Sequence, residues 1–374
     1  MKKLGFGAMR LPIKNEEDAS SVDSEITGKM IDLFMEKGFN YFDTAYPYHL
    51  GSSEKVLKEK LVDKYSRGDF LLADKMPLFY LEKEEDLDRF FKEQLERCGV
   101  DYFDYYLLHN VSEWTRNAFT DIKSFEFVEK MKKEGKVKHI GISFHDDADL
   151  LERVLKVYPS IEVVQLQINY LDWENETIQS KECYEVARKY NKDIIVMEPL
   201  KGGTLAKIPE KAEKLFKSYN PQMSVASWAN RYAASLEGVF VVLSGMNKLS
   251  DMEDNVSYME DFKPLNKEEY EIIKKVIDII NESITVPCTN CDYCIETCPQ
   301  GIPISKYFEL YNIWNRNPVE GFSPEHAYYR MYALKNTKGS LCDECGECEK
   351  QCPQHIQIRK HLKDLVELFE DENF

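Results

Sequence analysis

Eight of the ten cysteines in this chain stand in two runs of one spacing. CTNCDYCIETCP places thiols at Cys288, Cys291, Cys294 and Cys298, and CDECGECEKQCP places them at Cys342, Cys345, Cys348 and Cys352. The pattern C-x2-C-x2-C-x3-C-P gathers three thiolates on one tight loop and directs a fourth elsewhere, which is chemistry for a [4Fe–4S] cube. A zinc site would instead show C-x2-C pairs separated by a knuckle, without a third cysteine three residues on. A disulfide framework would belong to an exported chain, and nothing in the sequence points to export. The other two thiols, Cys98 and Cys183, fall in expected helices and read as small buried hydrophobes.

The module carrying these runs resembles a dicluster ferredoxin. That resemblance implies crossed ligation, in which the fourth cysteine of each run serves the other cluster. Cys288, Cys291, Cys294 and Cys352 would then hold one [4Fe–4S] cluster, and Cys342, Cys345, Cys348 and Cys298 the second. The 43 residues between Cys298 and Cys342 form a longer spacer than a minimal ferredoxin has. Aromatics at turn spacing predict helices there over Ile304–Asn315 and Pro324–Leu334.

Ahead of the cysteines, short apolar runs alternate with amphipathic segments from Leu4 to Met259. Eight runs read as strands: Leu4–Leu11, Asn40–Asp43, Phe70–Ala73, Tyr105–Leu108, Val137–Gly141, Val163–Leu166, Asp193–Met197 and Val239–Leu243. A helical pattern follows each, beginning with Glu25–Lys37, whose Ile26, Met30, Ile31, Phe34 and Met35 share one face. Eight strand–helix pairs in this length are the signature of an α/β fold of the (β/α)8 TIM-barrel type. A doubly wound sheet would carry G-x-G-x-x-G after its first strand, but Gly5-Phe6-Gly7 runs into Ala8-Met9-Arg10. The expected organisation is a barrel over 1–262, a linker helix over 263–285, and a small α-rich ferredoxin-like iron–sulfur domain over 286–374.

In such barrels the reacting groups sit at the C-terminal ends of strands. Those positions hold Asp43 and Tyr48 after the second strand, Lys75 after the third and His109 after the fourth. Reducing a carbonyl needs a proton for the developing alkoxide. Tyr48 can supply it if a cationic Lys75 beside it favours the phenolate. Asp43 would keep Lys75 charged, and His109 would hydrogen-bond the substrate oxygen. With these four residues, LGFGAMRLP at the start, GISFH at Gly141–His145 and VVQLQINY at Val163–Tyr170, the barrel resembles an aldo-keto reductase. The resemblance implies that Asp43, Tyr48, Lys75 and His109 are the catalytic tetrad.

It also implies a nicotinamide cofactor, NAD(H) or NADP(H), across the barrel mouth. Ser143 and Gln165 match the carboxamide contacts, and Met197 stands where the family usually places an aromatic ring. Leu200, Lys201, Gly202 and Gly203, with Ser244, Gly245, Met246 and Asn247, match the phosphate contacts. Where NADPH-using relatives hold the 2′-phosphate with basic residues, this chain shows Gly245 and Asp251, with Lys248 the nearby cation. That pattern weakens the expectation of NADPH and leaves NADH, or weak binding of either nucleotide, as the alternatives. Hydride moves two electrons and each cluster one, so FMN is a further candidate as the device that splits the pair.

Across 374 residues, 43% are hydrophobic and 31% charged, and the net charge is −17. That acidic balance argues against nucleic acid or an anionic membrane as partner. No apolar run approaches a bilayer span, and a cytoplasmic location is expected. The preferred reading is an iron–sulfur oxidoreductase acting on a small carbonyl or alcohol, its clusters linking the barrel to a carrier such as ferredoxin. Two alternatives stand beside it. One is an electron-transfer subunit in which the barrel is a scaffold. The other is a plain NAD(P)H-dependent reductase whose clusters are structural.

Overall fold

In a computed structural model the chain is described over residues 2–175, 178–281, 285–316, 326, 329–330, 332–333 and 336–370. Eight parallel strands close into a barrel in chain order. They are β1 (Leu4–Gly7), β2 (Tyr41–Asp43), β3 (Leu71–Pro77), β4 (Phe103–Val111), β5 (Val137–Phe144), β6 (Val163–Gln167), β7 (Asp193–Met197) and β8 (Val239–Gly245). The strands are buried on both faces, as a parallel sheet wrapped by helices requires. Tyr41, Ala73, Tyr105, Leu107, Val163, Ile195, Val241 and Leu243 form one cluster within the barrel. The alternate residues, among them Phe42, Leu72, Tyr106, Leu108 and Val164, join a separate core with helical residues such as Met30, Phe34, Leu87 and Phe91.

Two glycines leave room in that inner layer. A Cβ at Gly5 would stand 2.6 Å from Val241 Cγ1, and one at Gly141 would stand 2.5 Å from Val163 Cγ2. β1 is half the expected length. After Gly7 the chain turns through a short 3-10 helix at Ala8–Arg10, where the Ala8 carbonyl accepts a hydrogen bond from Ser53 Oγ. β3 and β4 run further than expected, because their pairing continues to Pro77 opposite His109.

The chain separates into two compact units, and the division differs from the expected one at residue 262. One unit is Met1–Leu200 with Gln222–Lys267; the other is Lys201–Pro221 with Glu268–Phe374. The segment between β7 and the helix Val225–Ser235 therefore leaves the barrel unit and joins the cysteine-bearing one. The second unit has its own core, in which Tyr307, Phe308, Ile358, Leu362 and Leu365 pack with Cys294, Cys348 and Cys352. Its helices include Lys267–Asn281, Ile304–Arg316 and Ile358–Phe369. The helix predicted at Pro324–Leu334 falls largely outside the described residues. Among the described residues no helix is long and apolar enough to cross a membrane.

Candidate active site

Register brings the four predicted residues to one end of the barrel. Asp43 ends β2, Lys75 lies in β3 opposite Leu107, and His109 lies in β4 opposite Pro77. Tyr48 opens the short turn Tyr48–Gly51, in which His49 and Leu50 hold left-handed backbones at φ 51° and 54°. Such strain persists only when neighbours over-determine it. Here His49 does so: its Nε2 accepts from the Leu11 N–H at 3.0 Å, and its Nδ1 lies 2.8 Å from the Ala19 carbonyl. The first bond makes Nε2 the acceptor and leaves Nδ1 to donate.

Lys75 is fully buried, and its Nζ donates to Asp43 Oδ1 at 2.6 Å and to the Thr44 carbonyl at 2.7 Å. The same Nζ stands 3.4 Å from the Tyr48 hydroxyl and 4.9 Å from its ring centroid. The His109 ring meets the Tyr48 ring edge-on at 6.0 Å and lies 5.5 Å from Phe79. Burial leaves His109 far below its ordinary pKa, so it is a neutral imidazole, and its Nδ1 has no hydrogen-bond partner. Burial raises Asp43 as well, opposed by Lys75.

One expectation is corrected here. Lys75 was expected to favour the Tyr48 phenolate, but burial, followed by the Asp43 charge, pushes the phenol well above its ordinary value. Tyr48 thus holds its proton firmly in the resting site. An alkoxide is a stronger base than a phenolate, so the proton remains transferable where that charge develops.

Around the same rim, Ser143 in β5 is paired with Gln165 in β6. Gln165 is buried, and its Oε1 has no hydrogen-bond partner. An unmatched buried amide oxygen of this kind suits the carboxamide N–H of a nicotinamide. Ser143 Oγ is 3.1 Å from His145 Nε2, and Met197 ends β7 half-buried. Ser244 is buried and accepts from Asn255 Nδ2 at 2.7 Å, while Gly245 and Asn247 are exposed and Met246 is covered.

Two residues here escaped the sequence reading. Arg10 packs over Gly245, where a Cβ would meet its Cδ at 3.2 Å, so a second basic side chain accompanies Lys248 at the end of β8. Glu198 stands 3.9 Å from Arg10, and both charges act on Tyr48. Pairing of β1 with β8 brings Arg10 there, a closure that local sequence does not display.

The glycine-rich segment expected to meet phosphate has another contact. Leu200 belongs to the barrel unit, but Lys201, Gly202 and Gly203 belong to the second. A Cβ at Gly202 would stand 1.8 Å from the Thr289 carbonyl, so Thr289 is what demands glycine at this place.

Within the second unit the eight thiols line two cavities in the crossed sets. One cavity is walled by Cys288, Cys291, Cys294 and Cys352. The other is walled by Cys298, Cys342, Cys345 and Cys348. The donor set suits iron–sulfur clusters, and the burial that pushes the thiols of Cys288 and Cys348 up to about 12 is offset when a metal binds thiolate.

Residues 3–278 match the model of the aldo/keto reductase family, and residues 287–357 match that of the 4Fe-4S dicluster domain. An uncharacterized oxidoreductase of Bacillus subtilis is 24% identical over 68% of this chain and 86% of its own. The L-galactose dehydrogenase of Arabidopsis thaliana is 25% identical over 80% of this chain and 93% of its own. Among solved structures, an aldo-keto reductase of Bacillus halodurans superposes with a TM-score of 0.60 at 24% identity, covering 73% of this chain and 91% of that one. FMN gains no support from these relatives.

Proposed function

We propose that this chain, which belongs to the aldo/keto reductase family, interconverts a small carbonyl and its alcohol at the mouth of the barrel. The observation that carries this reading is the buried Asp43–Lys75 pair set 3.4 Å below the Tyr48 hydroxyl. In the reducing direction the substrate oxygen takes the Tyr48 proton as negative charge develops on it. Lys75 lies where it stabilises the phenolate left behind, and Asp43 fixes that lysine. Neutral His109 orients the same oxygen. A nicotinamide bound at the rim supplies the hydride to the carbonyl carbon, with Gln165 and Ser143 placed for its carboxamide. Arg10 joins Lys248 at the end of β8, so the choice between NADH and NADPH is open to either nucleotide.

The second unit adds one-electron chemistry. Its crossed thiol sets support two [4Fe–4S] clusters linking the protein to an external carrier of ferredoxin type. Cys345 is exposed, which favours electron exchange over a purely structural role.

Tyr48→Phe tests the reading. Carbonyl turnover with NADH and with NADPH, assayed anaerobically, should fall by about 10²–10⁴ while reduction of the clusters by dithionite is unchanged. Undiminished turnover would sink the tetrad assignment and favour the electron-transfer subunit with a scaffold barrel.

A further inference from the structure

The two cysteine-lined cavities differ in the charge and the hydrogen-bond donors around them. Lys201, with 1% of its surface exposed, sends its Nζ to Gln354 Oε1 at 3.0 Å. Gln354 is itself buried and walls the first cavity beside Cys288 and Cys352. An ammonium offers donors only, so it fixes which end of the amide faces it. The other end, Gln354 Nε2, is buried and has no hydrogen-bond partner. An unmatched buried N–H costs about 1–3 kcal/mol, and a thiolate or sulfide sulfur in this cavity would be its acceptor. The backbone bends to deliver the lysine: Lys201, Gly202 and Gly203 are all left-handed, at φ 47°, 65° and 99°. A non-glycine residue held in that region marks a constraint enforced by its surroundings.

We propose that Lys201 and Gln354 raise the reduction potential of the first cluster above that of the second, making it the place where an electron on this unit comes to rest. The inference rests on the two-cluster ligation argued above. A reduced cluster carries one more negative charge than an oxidised one. A nearby cation and an N–H donor to sulfur both favour that state. Asp292 also lines the first cavity but is exposed, and an exposed charge is screened where a buried one is not.

The second cavity lacks both features: among the described residues its lining holds no lysine and no side-chain amide, Asp343 at its wall is exposed and screened as Asp292 is, and Cys345 is open to solvent. Arg359 approaches Gly346 but is half-exposed, and Glu349 holds it through two bonds of 2.8 and 3.0 Å. Its charge is largely answered before it reaches the cluster. The second cluster is therefore the lower-potential, accessible one, suited to exchange with a carrier.

An anaerobic redox titration of the full chain followed by electron paramagnetic resonance tests this. Wild type should show two midpoints, and Cys345→Ser, at the exposed ligand, should move only the lower. Lys201→Met should pull the upper midpoint down toward the lower one, Gln354→Leu should do so less, and Lys201→Arg should preserve the gap. Midpoints that stay put in Lys201→Met, or that fall together, would overturn the proposal. So would loss of the first cluster from both Lys201→Met and Gln354→Leu, since the pair would then be structural. Iron and sulfide content of the wild type separates these results from failure of the ligation itself, which would leave one cluster or none in the unmutated protein.

Discussion

Each unit buries a lysine, and the two are put to different use. Lys75 is 0% exposed and meets a carboxylate, a carbonyl and a phenol; Lys201 is 1% exposed and meets an amide beside two thiols. A buried cation against a carboxylate is answered locally and acts at short range, on the one proton within reach. A buried cation beside a thiol-lined cavity sits where screening is weak, so its field reaches charge that arrives there. On the roles proposed above, the same side chain serves proton chemistry in the barrel and electron chemistry in the cysteine-bearing unit.

The sharpest way to break that contrast is Lys75→Met. It should lower carbonyl turnover by at least about a hundredfold and strand Asp43, since breaking a buried pair by removing one partner costs about 3–5 kcal/mol. Steady-state kinetics and urea unfolding read the two effects. Lys201→Met should leave the barrel transition in place; a large loss there would show that the lysines are not doing separate jobs.

A smaller effect separates the units through their glycines. A Cβ at Gly202 would press on a backbone carbonyl in a left-handed residue, whereas at Gly141 it would press mainly on the side chains of Val163 and Leu107. Each alanine should cost about 1–3 kcal/mol, with Gly202→Ala at the upper end. Heating should release iron early from Gly202→Ala with the barrel's far-ultraviolet signal intact. Gly141→Ala should show the opposite order.

The smallest effect lies behind Lys75. Asp74 makes no hydrogen bond to a tetrad side chain, although its charge adds to the rise at Tyr48; its Oδ1 accepts from the Lys75 N–H at 2.8 Å, and it clusters with Glu54 and Cys98. Burial pushes both carboxyls above the usual range, and the Asp74 charge adds to the rise at Glu54. The folded barrel therefore keeps protons that the unfolded chain has released. Stability from this pair is full below the ordinary carboxylate range and is lost as pH rises through the raised values. The barrel's melting temperature should decline from mildly acidic to alkaline pH, and Asp74→Asn should flatten the decline.

Much of this was legible in the sequence where chemistry is local. Cysteine spacing carries its own geometry, and strand ends announced Asp43, Lys75 and His109. What stayed hidden depends on closure over long separations. Arg10 reaches Gly245 only because β1 pairs with β8, and Lys201 finds Gln354 across 153 residues. The sign of the Tyr48 shift was missed for a related reason: sequence displays a cation's presence but not the depth at which it sits. The phosphate reading of Gly202-Gly203 did not display that the Thr289 carbonyl approaches Gly202, while nothing stands within 4 Å of a Cβ at Gly203.

The division of the chain also sets an order in time. Residues 201–221 belong to a unit whose remaining parts begin at residue 268 and run to the end of the chain. At about 5–20 residues per second, the ribosome needs roughly 7–26 s after Pro221 to reach Cys352, the last of the cluster cysteines. The barrel strands are complete long before that, so the excursion waits on a nearly finished neighbour for its cysteine loops to be made. A stop codon after residue 267 would leave that wait unending, and trimming the gene to a bare barrel would require joining Leu200 to Gln222 as well.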